Sequence, residues 1–462
     1  MKKAALLWDE SFLWGLMACR ALSANGLPFD LIRSEDIKRG CLSSYGTIFV
    51  PGGWASNKIR RLGKEGTDAL RKFVGEGGNY LGFCGGAGLA TLDGIGLLAI
   101  GRKPTKNRVP SFSGRVYLNL SDHPIWEGLT RENAPSSLFH ETPPKRSGLR
   151  SLKDDPSSPF HVWWPSQFVL QDETITILAS YRSALPDAFS SDLNVGDVNV
   201  YGNWQDLENL YQIRLDPQRL SGAPVVVGGK FGKGAVLLSL VHFDTPGDAA
   251  GSAVLRNIWK YFGIPPAEHR PESGPFPLRN EETADQGDSG GLSDGITTAI
   301  RDIDGAVTDI IDLGLRNFLW FWRNPMLLQW RRGIRGLEYC TLFILVREIA
   351  RILENVDDTN RVNDQGNQRR CAALHIGMPL AKRLESVRAL LLPFSAQAQR
   401  LLVLERLALQ NGHITYEKCN DEEIQQLRAA LFSESKSYGG AFKKLLDEID
   451  DLLYILLAAG SR

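Results

Sequence analysis

Over the first 265 residues, short apolar runs alternate with amphipathic stretches. "KAALLW" (3–8) is apolar at successive positions, as in a strand covered on both faces. "SFLWGLMACRALSANG" (11–26) carries a helical repeat, with Ser11 as expected N-cap and Gly26 as stop. Strands are predicted over "FDLIR" (29–33), "TIFVPGG" (47–53) and "NYLGF" (79–83), and a helix over "KEGTDALRKFVGEGG" (64–78). This order predicts an α/β fold: a mainly parallel sheet with helices on both faces. In such sheets ligands sit beyond the carboxyl ends of the strands, here in the loops after Val50 and Phe83.

From about 114 to 245 the pattern turns strand-rich, with "GRVYLNL" (114–120), "PFHVWW" (159–164), "TITILASY" (174–181) and "DVNVYGNW" (197–204). A hairpin is expected over "APVVVGGKFGKGAVLLSLVHFD" (223–244), and a closing helix over "SAVLRNIWKYFG" (252–263). The "GGKFGKG" within that hairpin is a turn and not a phosphate loop: its spacing is one residue short, and Gly234 stands where Ser or Thr would be needed. Residues 266–297 are rich in Pro, Gly, Ser and acids and read as a flexible linker. Residues 298–462 read as an all-α domain; "AQRLLVLERLALQNG" (398–412) and "AFKKLLDEIDDLLYILLAAG" (441–460) have 3.6-residue apolar periods. "LRNFLWFWRNPMLLQWRR" (315–332) is expected to be a helix that packs its aromatics inward and breaks near Pro325. The expected domains are therefore 1–265, the linker 266–297, and 298–462.

Lys plus Arg and Asp plus Glu each number 53, so nothing electrostatic argues for nucleic acid. The six cysteines (Cys19, Cys41, Cys84, Cys340, Cys371, Cys419) form no CxxC pair, which predicts free thiols in a reducing compartment and no metal site. The apolar run from Ala4 to Trp8 is too short for a secretory signal, and no stretch is long enough to span a membrane. A cytoplasmic protein is the expectation.

The chemistry centres on "GFCGG" (82–86). G-x-C-x-G is the cysteine form of a nucleophile elbow, a tight strand-to-helix turn whose neighbours must be small. The helix start beyond it offers free amides to a thiolate or an oxyanion. A thiol nucleophile needs a base and the base an orienting acid. Among seven histidines, His123, His140, His161, His269, His375 and His413 carry no comparable signal. His242 ends an apolar strand, and Asp244 follows two residues later at the edge where the elbow belongs. Backbone amides of the "PGG" turn, Gly52 and Gly53, could join that of Gly85 in an oxyanion hole.

"IFVPGGWA", "GNYLGFCGGAGLA", "SDHPIWEGL", "GKGAVLLSLVHFD" and "SAVLRNIWKYFG" together resemble the class I glutamine amidotransferase-like superfamily, most closely the biotin-protein ligase N-terminal-like family. The resemblance covers about residues 1–265 and implies a flavodoxin-like amidotransferase fold. It implies Cys84 as nucleophile, His242 as base, Asp244 as its orienter, and Gly53 and Gly85 as oxyanion donors. Three departures stand out. His242-Phe243-Asp244 replaces the usual H-P-E, "HVWWPSQF" (161–168) differs from the glycine-rich stretch expected there, and the ligase's G-R-G-R-x-G and K-W-P-N stretches are missing. The implied activity is acyl transfer or hydrolysis on a small amide or acyl substrate, without metal or organic cofactor. The alternative is a non-catalytic binding module whose helical region engages a protein partner.

Overall fold

β1 (Ala4–Leu7), β2 (Phe29–Ile32) and β3 (Thr47–Val50) begin a parallel sheet, and β1 and β3 are buried at every position. Full burial means that the sheet is covered on both faces here. The computed structural model describes residues 3–129, 158–265, 294–362, 380–412, 419–433 and 438–460. The chain divides into two compact units, Met1–Pro275 and Phe276–Arg462. The division falls within the 266–297 stretch, of which 266–293 lie outside the described residues, as do His140, Cys371, His375 and His413.

In the first unit, β4 (Asn79–Phe83) lies parallel to β3. β5 (Ile100–Arg102) pairs with a short strand further on, and β6 (Phe112–Leu120) enters the main sheet. Then come β7 (Phe160–Trp163), β8 (Phe168–Leu170), β9 (Thr176–Ala184), β10 (Phe189–Ser190), β11 (Leu193–Asn194), β12 (Pro224–Phe231) and β13 (Gly234–Ser239). The eleven-stranded sheet runs β11-β10-β6-β9-β12-β13-β4-β3-β1-β2, with β7 also on β6. Five strands, from β2 to β13, are parallel; the strands beyond β13 join antiparallel. This is the expected α/β sheet, parallel in the half that carries the elbow.

Register aligns the site. Phe83 pairs with Ser239, Ser239 with Val226, and Val226 with Ala179, one row across four strands. Cys84 and Tyr181 therefore emerge just beyond the same row. β6 pairs along one stretch with β9 and along another with β7, and Val162 of β7 bridges to Val241. That curl returns the start of β6 to the neighbourhood of His242.

α1 (Leu13–Ala24), α2 (Ser34–Lys38), α3 (Ala55–Gly75), α4 (Gly85–Leu89), α5 (Val195–Tyr201), α6 (Trp204–Tyr211) and α7 (Ala249–Tyr261) complete the unit. Gly26 stops α1 at φ +62, as expected. Ser11 does not cap it: α1 starts after Phe12 without a side-chain cap, and the Ser11 hydroxyl donates to Leu7 O at 3.0 Å. The strand expected over 197–204 is instead parts of α5 and α6. Asn194 accepts from Asp197 N, and Asn203 accepts from Gln205 N and Asp206 N, so two N-caps override the β-branched run. The "GGKFGKG" stretch is the β12–β13 turn, with Gly232 at φ +58.

The second unit is built of α8 (Asp294–Arg316), α9 (Gly336–Val362), α10 (Leu380–Gln410), α11 (Glu422–Phe432) and α12 (Gly440–Gly460). Its exception is 315–332. The helix ends at Arg316, and the aromatic stretch forms a hairpin of β14 (Trp320–Asn324) and β15 (Leu327–Trp330). The expectation of an interrupted helix fails because Pro325 falls in the turn, where Asn324 Oδ1 accepts from Met326 N at 2.8 Å. Inward packing holds only in part: Trp320 donates to Ile311 O at 3.0 Å and lies where Gly314 leaves room for it, whereas Phe318 and Phe321 are exposed.

Candidate active site

Cys84 stands between β4 and α4 at φ 48, ψ −103, a conformation that L side chains rarely adopt. The glycines around it are required sterically. A Cβ on Gly85 would lie 1.9 Å from Gly53 O, and one on Gly86 1.8 Å from Val50 O. The turns after β3 and β4 thus touch backbone to backbone, and Gly86 N donates to Pro51 O at 3.1 Å. Cys84 N donates to Ser239 O at 2.8 Å, fixing the elbow to β13. Gly53, at φ +110, packs against the carbonyl of Glu10, and Gly52 packs against the Trp14 ring. Neither Gly53 nor Gly85 uses its amide in a hydrogen bond among the described residues.

His242 follows β13 and is fully buried, with 0% of its surface exposed. Its amide donates to His161 O at 2.9 Å, and its Nδ1 lies 3.0 Å from Asp244 Oδ1. The Trp14 ring lies 4.8 Å from the imidazole, centre to centre. Nε2 has no hydrogen-bond partner among the described residues. Burial pushes the imidazole's pKa down. The Asp244 charge and hydrogen bond, helped by Cys84, outweigh it and raise it to about 10. Cys84 is close enough to favour the imidazolium, yet its sulfur closes no hydrogen bond on Nε2.

The divergent "HVWW" segment supports this pair. Trp163 Nε1 donates to Thr245 Oγ1 at 3.0 Å, and Thr245 Oγ1 donates to His242 O at 2.9 Å. His161 Nδ1 meets Asp248 Oδ2 at 2.8 Å, while Asp248 caps α7 through Gly251 N at 2.7 Å. The structure therefore groups Gly52, Gly53, Gly85 and Cys84 at one sheet edge, and His242 with Asp244 within electrostatic reach of that thiol.

Sequence reasoning missed several neighbours. Lys58, buried, donates to Ser11 Oγ and to Asp9 O, holding the loop after β1 that carries Glu10 against Gly53. Trp14, Arg108 and Tyr181 also belong here; Cys84 acts electrostatically on both Arg108 and Tyr181. None stands in a local motif. A cavity of about 350 Å³, lined in part by His123, Lys230 and Tyr261, includes none of these residues. Among the described residues no three His, Cys, Asp or Glu side chains group as metal ligands, and no helix is long and apolar enough to cross a membrane.

The family model described as "Biotin-protein ligase, N terminal" matches residues 37–93, a segment that holds β3, α3, β4 and the elbow. The resemblance read from the sequence is borne out over that segment. No curated protein matches the chain. Among solved structures, a glutamine amidotransferase is similar at 18% identity over 56% of this chain and 99% of that one, with a TM-score of 0.33. A β-galactosidase from Bacillus circulans sp. alkalophilus is similar at 15% identity over 57% of this chain, with a TM-score of 0.33. A β-galactosidase from a Rahnella species is similar at 13% identity over 57% of this chain and 32% of that one, with a TM-score of 0.33. The chain spans 32% of the length of the Bacillus enzyme.

Proposed function

We propose that the first 265 residues form an amidotransferase-like domain with a cysteine-dependent acyl-transfer or amide-hydrolysis site, linked through 266–297 to a helical domain at 298–462. One observation carries this reading. A cysteine in strained elbow backbone shares a sheet edge with a histidine whose Nδ1 is bound to an aspartate and whose Nε2 is unspent. Asp244 holds His242 protonated near neutral pH, so His242 enters as the acid, and the proposed nucleophile is the thiolate form of Cys84. The thiolate attacks the acyl carbon, and the carbonyl electrons move to an oxygen held by the Gly53 and Gly85 amides. His242 gives its proton to the leaving amine as the C–N bond breaks. It then takes a proton from water as the oxygen attacks the thioester, and the C–S bond breaks to release the thiolate beside the restored imidazolium. The described cysteines are all free thiols, which suits a reducing, cytoplasmic setting.

A specific observation favours the second reading, a binding module. His242 is wholly covered, with Trp14 packed on its ring, so Nε2 is closed to solvent in this structure. Alkylation by iodoacetamide separates the two. Burial pushes the Cys41 and Cys340 thiols up to about 11 and about 12, so neither competes at pH 7. The expected result is rapid labelling at Cys84, slowed about tenfold by His242→Ala, because the imidazolium no longer favours the thiolate. Equal rates in the two proteins would leave the binding module standing.

A further inference from the structure

α1, α3, α7 and α8 stop in the same way, but one of them does so with a different kind of residue. α1 closes with Leu27 N on Leu22 O and Gly26 N on Ser23 O. α3 closes with Gly78 N on Phe73 O and Gly77 N on Val74 O, and α7 with Ile264 N on Trp259 O and Gly263 N on Lys260 O. The residue that turns the chain is glycine each time, Gly26, Gly77 and Gly263, all at positive φ, where a Cβ is crowded. α8 closes with the same pair of bonds, Leu319 N on Gly314 O at 2.9 Å and Phe318 N on Leu315 O at 3.1 Å. Here the turning residue is Phe318, at φ 55. It is 73% exposed, so packing returns little for the strained backbone.

The hairpin that follows is anchored on α9. Trp320 pairs across the strands with Trp330 and lies 5.6 Å from the Tyr339 ring, and Trp322 lies 5.6 Å from the Phe343 ring. The Trp330 ring fills the space that Gly336 leaves. Cys340 Sγ donates to Met326 O at 3.3 Å and ties down the turn. Phe321, one residue out of step with Trp320 and Trp322, faces solvent. Phe318 and Phe321 thus project from a fixed base.

Charge indicates what they meet. From 313 to 337 the sequence has Arg316, Arg323, Arg331, Arg332 and Arg335 and no acid, in a chain of zero net charge. Arg335 is spent on Glu338. Arg331 is exposed, and its Nε donates to Phe318 O at 2.9 Å, which sets a guanidinium beside the turn. Arg316 is exposed too, and neither it nor Asp312, one turn back, forms an ion pair among the described residues. Two rings bury too little for a stable protein interface, which takes roughly 800 Å² from each partner. An anionic headgroup layer needs no matching surface: aromatic rings enter it and guanidiniums bind its phosphates. We propose that the Phe318 turn and the β14–β15 hairpin dock the chain on an anionic phospholipid surface. Phe318 and Phe321 enter the headgroup region, and Arg316 and Arg331 lie on lipid phosphates.

Co-sedimentation of the full chain with vesicles of about 30% phosphatidylserine in phosphatidylcholine tests this. The wild type should bind them in low salt, lose most of that binding in high salt, and ignore vesicles of phosphatidylcholine alone. Arg316→Gln should weaken binding about fivefold. Phe318→Gly combined with Phe321→Ser should weaken it at least about tenfold. Glycine suits the backbone at 318, so Phe318→Gly alone should melt no lower than the wild type. If the double variant does not fold, that single variant decides, with binding weakened at least about threefold. A wild type that stays in the supernatant, or that binds phosphatidylcholine equally well, overturns the proposal. So do aromatic variants that bind like the wild type, and a Phe318→Gly variant that melts well below it, which would assign the ring to the fold. A solution dimer lost in the double variant, without vesicle binding, would give this face to a second copy of the chain instead.

Discussion

Each unit buries a cluster of polar and charged side chains, and the two clusters are satisfied to different degrees. In the helical unit, Arg335 pairs with Glu338 at 3.0 Å, and Arg428 pairs with Glu405 at 2.8 Å. Arg428 also donates to Gly333 O at 2.9 Å, and the Arg335 guanidinium lies 5.0 Å over the Phe432 ring. The carboxylates and guanidiniums pair, although among the described residues Arg335 Nε and Tyr339 Oη make no hydrogen bond. Around Cys84, His242 Nε2, Asp244 Oδ2, Tyr181 Oη and Arg108 Nε have no hydrogen-bond partner among the described residues. Closed clusters of this kind hold helices in register, whereas an open one keeps donors available for a ligand.

The largest effect expected from this contrast is on stability. Arg428→Met removes the counter-charge of a buried carboxylate and a donor to Gly333 O, and should cost roughly 3 kcal/mol. Hydrogen-exchange protection of α10 and α11 amides in the whole chain would measure it. Adding Glu405→Leu should recover most of the loss, because the orphaned carboxylate goes with it. No recovery would mean that the cluster is not the closed pair described.

Asp244→Asn should act the other way, weakly on the fold and strongly on the thiol. His242 is raised to about 10 from an ordinary 6.5, so its protonated form stabilises the fold fully below about pH 6.5, and that contribution is lost as pH rises through about 10. The variant should therefore be less stable than wild type by about 1 kcal/mol at pH 6 and nearly equal above pH 10. Its Cys84 alkylation at pH 7 should slow about tenfold. A stability loss that does not vary with pH would show that Asp244 serves packing instead.

The same contrast explains what the sequence could reveal. The elbow was legible because its glycines are local: Gly82, Gly85 and Gly86 must lack Cβ atoms within five residues of each other. His242 and Asp244 were legible for the same reason, two residues apart at a strand end. Arg108, Tyr181 and Lys58 were not, since each meets the site through sheet register or a distant loop and leaves no local pattern. The helices at 195–211 were hidden by Val198, Val200 and Tyr201, whose strand preference is overridden by the Asn194 and Asn203 caps. The 320–330 hairpin was hidden by an apolar run that fits a helix equally well until Pro325 is placed in a turn.

The smallest effect separates the units by pH. Burial raises Glu405 to about 7 from an ordinary 4.5, against the opposing charges of Arg428 and Arg335, and Glu338 is raised in the same direction. The folded helical unit thus holds a proton that the unfolded chain releases. The resulting stability is complete below about pH 4.5 and is lost as pH rises through about 7. His242 gives the same sign in the first unit, but over the window from about 6.5 to about 10. Rising pH should therefore loosen α10 and α11 first and the strands around His242 later. Protection factors, referenced to intrinsic exchange at each pH, would show the order. Glu405→Gln should flatten the first loss by up to roughly 1.4 kcal/mol per pH unit and leave the second unchanged. If both units weaken over one window, the two clusters do not titrate as separate centres, and the contrast between closed and open sites loses its thermodynamic basis.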